Sequence, residues 1–292
     1  YGDVTAVDGI DLEVERGELH GFVGHNGAGK STTMRMLVGL VGPTAGEAYI
    51  DGEPAGTLAA TEKIGYAPQY PEFYETMSGR DYLIYMAKAS GVDGSPSDRA
   101  DELLDRFGLA DDAAQAVGGY SGGMQRRLSM AQAMLGDPEL FILDEPTAAL
   151  DPEGRAAIID YLEALADSGV TVFVSSHVLA ELEQFIDTVT ILRNGRIETT
   201  GSIGNVLDEA SAGQYLVDAS DNDRLLESLD GHRAIERIER RDDGQLLVTP
   251  TDPDEFTVVL PAVVSEAGLG LKSLGREGGL EERFLESIEE DE

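Results

Sequence analysis

Apolar positions alternate near the start of the chain at Val4, Ala6, Ile10, Leu12 and Val14, which predicts short strands before a turn at Arg16-Gly17. A second strand, Leu19–Val23, runs directly into a glycine-rich segment, and Met34, Met36, Leu37, Val38 and Leu40 then supply the apolar part of a helix that stops near Gly42-Pro43. Asp51-Gly52 marks a hairpin after Ala48-Tyr49-Ile50, followed by a short strand at Ile64–Ala67. From residue 76 to 118 the pattern turns helical: Asp81–Ala89 and Arg99–Phe107 are joined by a Gly/Ser/Pro/Asp-rich loop at 91–98, which predicts a small helical subdomain spanning about 72–135.

Strand and helix alternate again from Leu140. The expected elements are a strand at Leu140–Leu143, a helix at Pro152–Ala166, a strand at Val170–Ser175, a helix at Val178–Phe185 and a hairpin turned at Asn194-Gly195. The organisation changes around Thr200–Asn205. Beyond it the pattern reads strand 214–219, helix 221–229, strands 233–240 and 244–249, helix 253–267, strand 269–275 and helix 279–289. That βαββαβ order predicts a small α+β ferredoxin-like domain over 201–292 behind an α/β core over 1–200.

Composition narrows the picture. The 292 residues carry a formal net charge of -35, and lysine is confined to Lys30, Lys63, Lys88 and Lys272. Such a balance disfavours an extended nucleic-acid surface. It suits a solvated acidic surface or, as the sharper expectation, a salt-rich, halophilic cytoplasm whose ions screen the carboxylates. Zero cysteines exclude disulfides and thiolate chemistry, so any metal rests on oxygen or histidine. No run approaches the roughly 18 apolar residues of a membrane span, and no signal-peptide order opens the chain, so a soluble cytoplasmic protein is expected.

The chemistry begins at Gly24-His25-Asn26-Gly27-Ala28-Gly29-Lys30-Ser31, followed by Thr32. Its G-x-x-x-x-G-K-S pattern, set between a strand and a helix, lets backbone N–H groups curl around phosphates. Lys30 adds a cation and Ser31 a hydroxyl for Mg²⁺. The strand Leu140–Leu143 delivers Asp144 and Glu145 at its end: Asp144 to hold Mg²⁺ through water, Glu145 to polarise an attacking water.

Between these lies Tyr120-Ser121-Gly122-Gly123-Met124-Gln125-Arg126-Arg127, and here the sequence resembles the ATP-binding-cassette (ABC) ATPases over about residues 1–200. Under that resemblance Gln69 is the Q-loop glutamine, reaching Mg²⁺ or the attacking water and meeting a membrane subunit. His177 is the switch histidine at the γ-phosphate, Tyr1 the aromatic that stacks on adenine, and Asp151 the D-loop acid that crosses to a partner. Ala148 departs from the pattern, standing where many members have serine. The family has a strand before the tyrosine, so the natural protein is expected to begin upstream of Tyr1.

The resemblance implies a head-to-tail dimer, of two copies or a paired homologue, in which Ser121, Gly122 and Gly123 of one subunit close over ATP held by the other. It also implies coupling to integral membrane permease subunits from the inner face of the cell membrane. Gly279-Leu280-Glu281-Glu282-Arg283-Phe284-Leu285 resembles the appendage of drug- and polysaccharide-type exporter ATPases, with a regulatory or dimer-supporting role. The alternative is a soluble ABC ATPase acting on ribosomes or DNA; the missing basic stripe, coiled-coil insertion and second cassette weigh against it.

Overall fold

The computed structural model describes the chain except for Tyr1, Asp3, Ala149, Asp151, residues 211–213, Asp242 and residues 277–292. It divides between Ser202 and Ile203 into two compact units.

In the first unit, β1 (Leu19–Val23) leads through the glycine loop into α1 (Lys30–Leu37), and β2 (Tyr49–Ile50) and β3 (Glu53–Pro54) form the hairpin predicted at Asp51-Gly52. Asp51 and Gly52 both have positive φ, 49° and 78°, as a tight two-residue turn demands. The short α2 (Leu58–Thr61) and β4 (Ile64–Ala67) follow, then α3 (Gly79–Ala89), α4 (Pro96–Arg106) and α5 (Gly122–Ala133). β5 (Leu140–Asp144), α6 (Pro152–Asp167), β6 (Thr171–Ser176), β7 (Thr188–Arg193) and β8 (Arg196–Ser202) complete the unit.

One sheet organises it, in the order β4-β5-β6-β1-β7-β8. All neighbours are parallel except the β7–β8 hairpin at the edge, turned at Asn194-Gly195. β1, β5 and β6 occupy the middle and are buried on both faces, which is why they read as continuous apolar runs. Parallel pairing brings the carboxyl ends of β4, β1, β5 and β6 to one edge of the sheet, where open α/β sheets bind ligands. Phe22, Met34, Ile142, Phe173 and Leu192 fill the core beneath that edge.

Two expectations are corrected. No strand forms among the described residues before Leu19. Ile10, Leu12 and Val14 do pack against the Phe22–Phe173 core, so their alternation reports a half-buried extended segment, but it lacks a hydrogen-bonded ladder. The stretch Val178–Phe185 is not an α-helix: only a 3-10 turn, Leu179–Glu181, forms. Leu179, Leu182, Phe185 and Ile186 are still buried, so the helical spacing is satisfied by successive tight turns. Val178 stays extended (φ -125°, ψ 107°) while its N–H donates to the Ser176 hydroxyl at 2.9 Å.

The second unit contains α7 (Ile203–Ala210), β9 (Tyr215–Ala219), α8 (Asn222–Leu229), β10 (Ile235–Arg240), β11 (Leu246–Pro250), α9 (Pro253–Glu266) and β12 (Leu271–Arg276). Its antiparallel sheet has the order β10-β11-β9-β12, the ferredoxin-like arrangement of a βαββαβ chain. Tyr215, Val217, Leu225, Leu246, Phe256 and Leu260 form a core of its own. The helix expected at 279–289, with the segment Gly279–Leu285, lies outside the described residues.

Candidate nucleotide site

The glycine loop is shaped by backbone constraints that side chains would break. A Cβ at Gly24 would stand 2.5 Å from the Leu192 carbonyl oxygen, and Gly29 adopts φ 111° with the Ala6 carbonyl where a Cβ would sit. The loop is tied to its neighbours: Gly24 N–H donates to Ser176 O (3.2 Å) at the end of β6, and Gly195 N–H donates to Ala28 O (2.9 Å). Gly29 caps α1 without a side-chain hydrogen bond. The first amides of α1, at Lys30, Ser31 and Thr32, therefore share the loop's donor character, a disposition suited to phosphate. His25 turns its Nδ1 onto the Asn26 carbonyl at 2.8 Å.

Lys30 is buried, and its ammonium donates to the carbonyls of Gly24 and His25. It also lies 3.4 Å from Glu145 Oε1. Burial lowers the Lys30 pKa from its ordinary value, and the nearby Glu145 and Asp144 carboxylates oppose that shift.

The two acids at the end of β5 have different surroundings. Asp144 Oδ1 accepts from the Ser175 hydroxyl at 2.8 Å, while Asp144 Oδ2 is buried with no hydrogen-bond partner among the described residues. A buried carboxylate oxygen left unpaired is costly unless a cation or water meets it. Glu145 adopts a left-handed backbone (φ 51°), rare for glutamate, and its N–H donates to Ser175 Oγ at 3.0 Å. Its side chain, 5% exposed, reaches Lys30 with one oxygen and His177 Nδ1 with the other, at 2.7 Å. The strained φ and the two partners fix the carboxylate's direction.

Lys30, Asp144, Glu145 and His177 thus converge. Gln69 follows β4 at the same sheet edge, and the carbonyl just before it, Pro68 O, accepts from buried Arg126 at 2.8 Å. Ser121 is the N-cap of α5, its hydroxyl accepting from Met124 N–H (3.2 Å), and Gly122 begins the helix in an exposed position. Tyr1 and Asp151 lie outside the described residues.

Two participants escape sequence reading: Ser175, which joins both acids, and Arg126. The signal for the first is a pair of hydroxyls, Ser175-Ser176, directly after the apolar run Val172-Phe173-Val174. Mg²⁺ fits the oxygen set of Ser31, Gln69 and Asp144, since it keeps waters and phosphate oxygens and needs few protein ligands. Orphaned Asp144 Oδ2 is the observation that favours it. Among the described residues no group of three His, Cys, Asp or Glu forms an all-protein metal cage.

The fold and these contacts define a P-loop nucleotide-binding cassette. Residues 7–148 match the family described as ABC transporter. The chain is 40% identical over 200 residues to the bacitracin transport ATP-binding protein of Bacillus licheniformis, covering 68% of this chain and 65% of that one. An uncharacterized ABC transporter ATP-binding protein of Bacillus subtilis is 40% identical over 204 residues, 70% of this chain and 68% of its own. The daunorubicin/doxorubicin resistance ATP-binding protein of Streptomyces peucetius is 38% identical over 209 residues, 70% of this chain and 63% of its own. The chain therefore spans about two thirds of the length of these relatives. Among solved structures, the ATP-binding subunit of an ABC transporter superposes with a TM-score of 0.65 at 29% identity, covering 72% of this chain and 88% of that chain. A dimeric ATP-binding cassette in a post-hydrolysis state bound to ADP and Pi superposes with a TM-score of 0.64 at 27% identity, covering 68% and 91%. The chain belongs to the ABC transporter family.

Proposed function

We propose that this chain binds and hydrolyses ATP as the motor subunit of an ABC exporter and drives a separate membrane permease from the inner face of the cell membrane. The observation that carries the reading is Glu145, held by Lys30 and His177 at the strand end beside the glycine loop. In this mechanism the loop and α1 amides take the β- and γ-phosphates, and Lys30 exchanges its carbonyl and Glu145 contacts for phosphate oxygens. Glu145 then accepts the proton of the attacking water, oriented by His177. Ser31, Gln69 and Asp144 would hold Mg²⁺, which neutralises charge on the phosphates when bound.

Two such sites pair head to tail, with Ser121, Gly122, Gly123 and Asp151 of one subunit completing the other's nucleotide site, and Tyr1 stacking on adenine. The dimeric state of the similar post-hydrolysis cassette supports the pairing. Relatives named for bacitracin transport and daunorubicin resistance support export. None of the similar proteins described above is named for ribosomes or DNA, and a net charge of -35 opposes a nucleic-acid backbone. Purification of the tagged chain from its native membranes tests the reading. A multi-spanning membrane protein should accompany it; ribosomes or DNA in its place would contradict it.

A further inference from the structure

Arg126 is a buried cation, 7% exposed, on the second turn of the helix whose N-cap is Ser121. It uses one nitrogen for two backbone acceptors: Nη1 donates to Pro68 O at 2.8 Å and lies 3.4 Å from Asp144 O. Pro68 O belongs to the peptide that carries Gln69. Asp144 O belongs to the peptide that carries Glu145, whose φ of 51° is already strained. Burial depresses the Arg126 pKa, with Asp144, Glu145 and Tyr70 acting in the opposite sense.

A guanidinium stripped of water depends on its few hydrogen bonds, so moving either carbonyl is costly unless the arginine follows. The arginine in turn is fastened to a helix that is itself braced. Arg127, the next residue, reaches the carbonyls of Phe107 (3.4 Å) and Gly108 (3.3 Å) at the end of α4, and Gln132 accepts from the Tyr82 hydroxyl of α3. These bonds tie α5 to α3 and α4, while its last turn packs on β4, where a Cβ at Gly65 would run into Ala133 O. Arg126 links the first turns of α5 to both peptides.

Resting on the function proposed above, we infer that Arg126 is a positioning residue that couples a subunit's own hydrolytic centre to the Ser121–Gly123 turn it offers to the opposite site. When Gln69 and Glu145 settle around nucleotide, the preceding carbonyls of Pro68 and Asp144 carry Arg126 and the first turns of α5 with them. Occupancy of one site is thereby reported to the other.

The test compares the wild-type full chain with Arg126→Met and Arg126→Lys. Steady-state ATPase rates across ATP concentration give kcat, KM and the Hill coefficient, and mant-ATP titration gives nucleotide affinity. Arg126→Met keeps the apolar stem and removes the donors. It should lower kcat by about 10- to 100-fold, as small misplacements of reacting groups do, bring the Hill coefficient to about 1, and leave mant-ATP affinity nearly unchanged. Arg126→Lys keeps the charge without the planar fork and should fall between the two. A purely structural role would lower the melting temperature without this split. Wild-type kcat and cooperativity in Arg126→Met, or an affinity loss as large as the kcat loss, would overturn the inference. If Arg126→Met fails to fold, Arg126→Lys decides: lower kcat and cooperativity at unchanged affinity support it, and wild-type values overturn it. A wild-type chain that hydrolyses ATP without cooperativity overturns the coupling and leaves the proposed function standing; one that does not hydrolyse ATP overturns both.

Discussion

His177 Nδ1 lies 2.7 Å from Glu145 Oε2, so the residue after β6 orients the carboxylate of the residue after β5. Those strands are parallel neighbours, and Asp144 is in register with Ser175. The contact is a direct outcome of that pairing. Replacing His177 with Ala frees one oxygen of Glu145 and, under the proposed function, removes a polar group from the γ-end of the nucleotide. Turnover should fall by about 100-fold, in the range of a lost acid–base participant, with little change in nucleotide affinity. A steady-state assay beside a mant-ATP titration checks this, and near-wild-type kcat would remove His177 from the mechanism.

Ser175 holds both acids at once, donating to Asp144 Oδ1 and accepting from Glu145 N–H. Ser175→Ala leaves a buried amide and a buried carboxylate oxygen short of partners. The expected cost is about 2–4 kcal/mol of stability, from two groups at roughly 1–3 kcal/mol each less partial relaxation. Urea unfolding measures it. A cost below about 0.5 kcal/mol would mean that both groups have other partners.

His20 on β1 is buried in a polar network, with Nδ1 at 2.6 Å from Glu18 Oε1 and Nε2 at 2.9 Å from Thr190 Oγ1. Burial lowers its pKa below 6.5, more than Glu18 raises it. The folded state therefore binds fewer protons there than the unfolded chain. This contribution is fully present above pH 6.5 and is lost as pH falls from 6.5 toward the depressed folded value. His20→Gln should flatten stability against pH below 6.5 relative to wild type. Parallel curves would contradict the assignment.

The net charge of -35 predicts self-repulsion that salt relieves. The Debye length shrinks from about 10 Å at 0.1 M to about 3 Å at 1 M. Screening that recovers about 2 kcal/mol would raise Tm by roughly 4–8 °C in a protein of this size. Thermal unfolding across a KCl series measures it, and equal Tm at low and molar salt would refute adaptation to a salt-rich interior.

Much of the site was legible because the chain writes it locally. An apolar run ending in glycines, and another ending in Asp144-Glu145, announce buried parallel strands whose ends carry chemistry. What escaped was non-local. The Ser175–Asp144 bond joins residues 31 apart and the Arg126–Pro68 bond residues 58 apart, and no periodicity marks either. Local patterns also misled where burial and hydrogen bonding part company. Ile10, Leu12 and Val14 alternate and pack without forming a ladder, while Leu179, Leu182 and Phe185 keep helical spacing through tight turns.

Glu145→Gln tests the central claim most directly, since the amide keeps the shape and the left-handed backbone position but cannot accept the water's proton. Turnover should fall by at least about 100-fold while ATP binding persists and an ATP-bound dimer accumulates, read by size exclusion with multi-angle light scattering. Wild-type hydrolysis by this variant would contradict Glu145 as the base and, with it, the proposed mechanism.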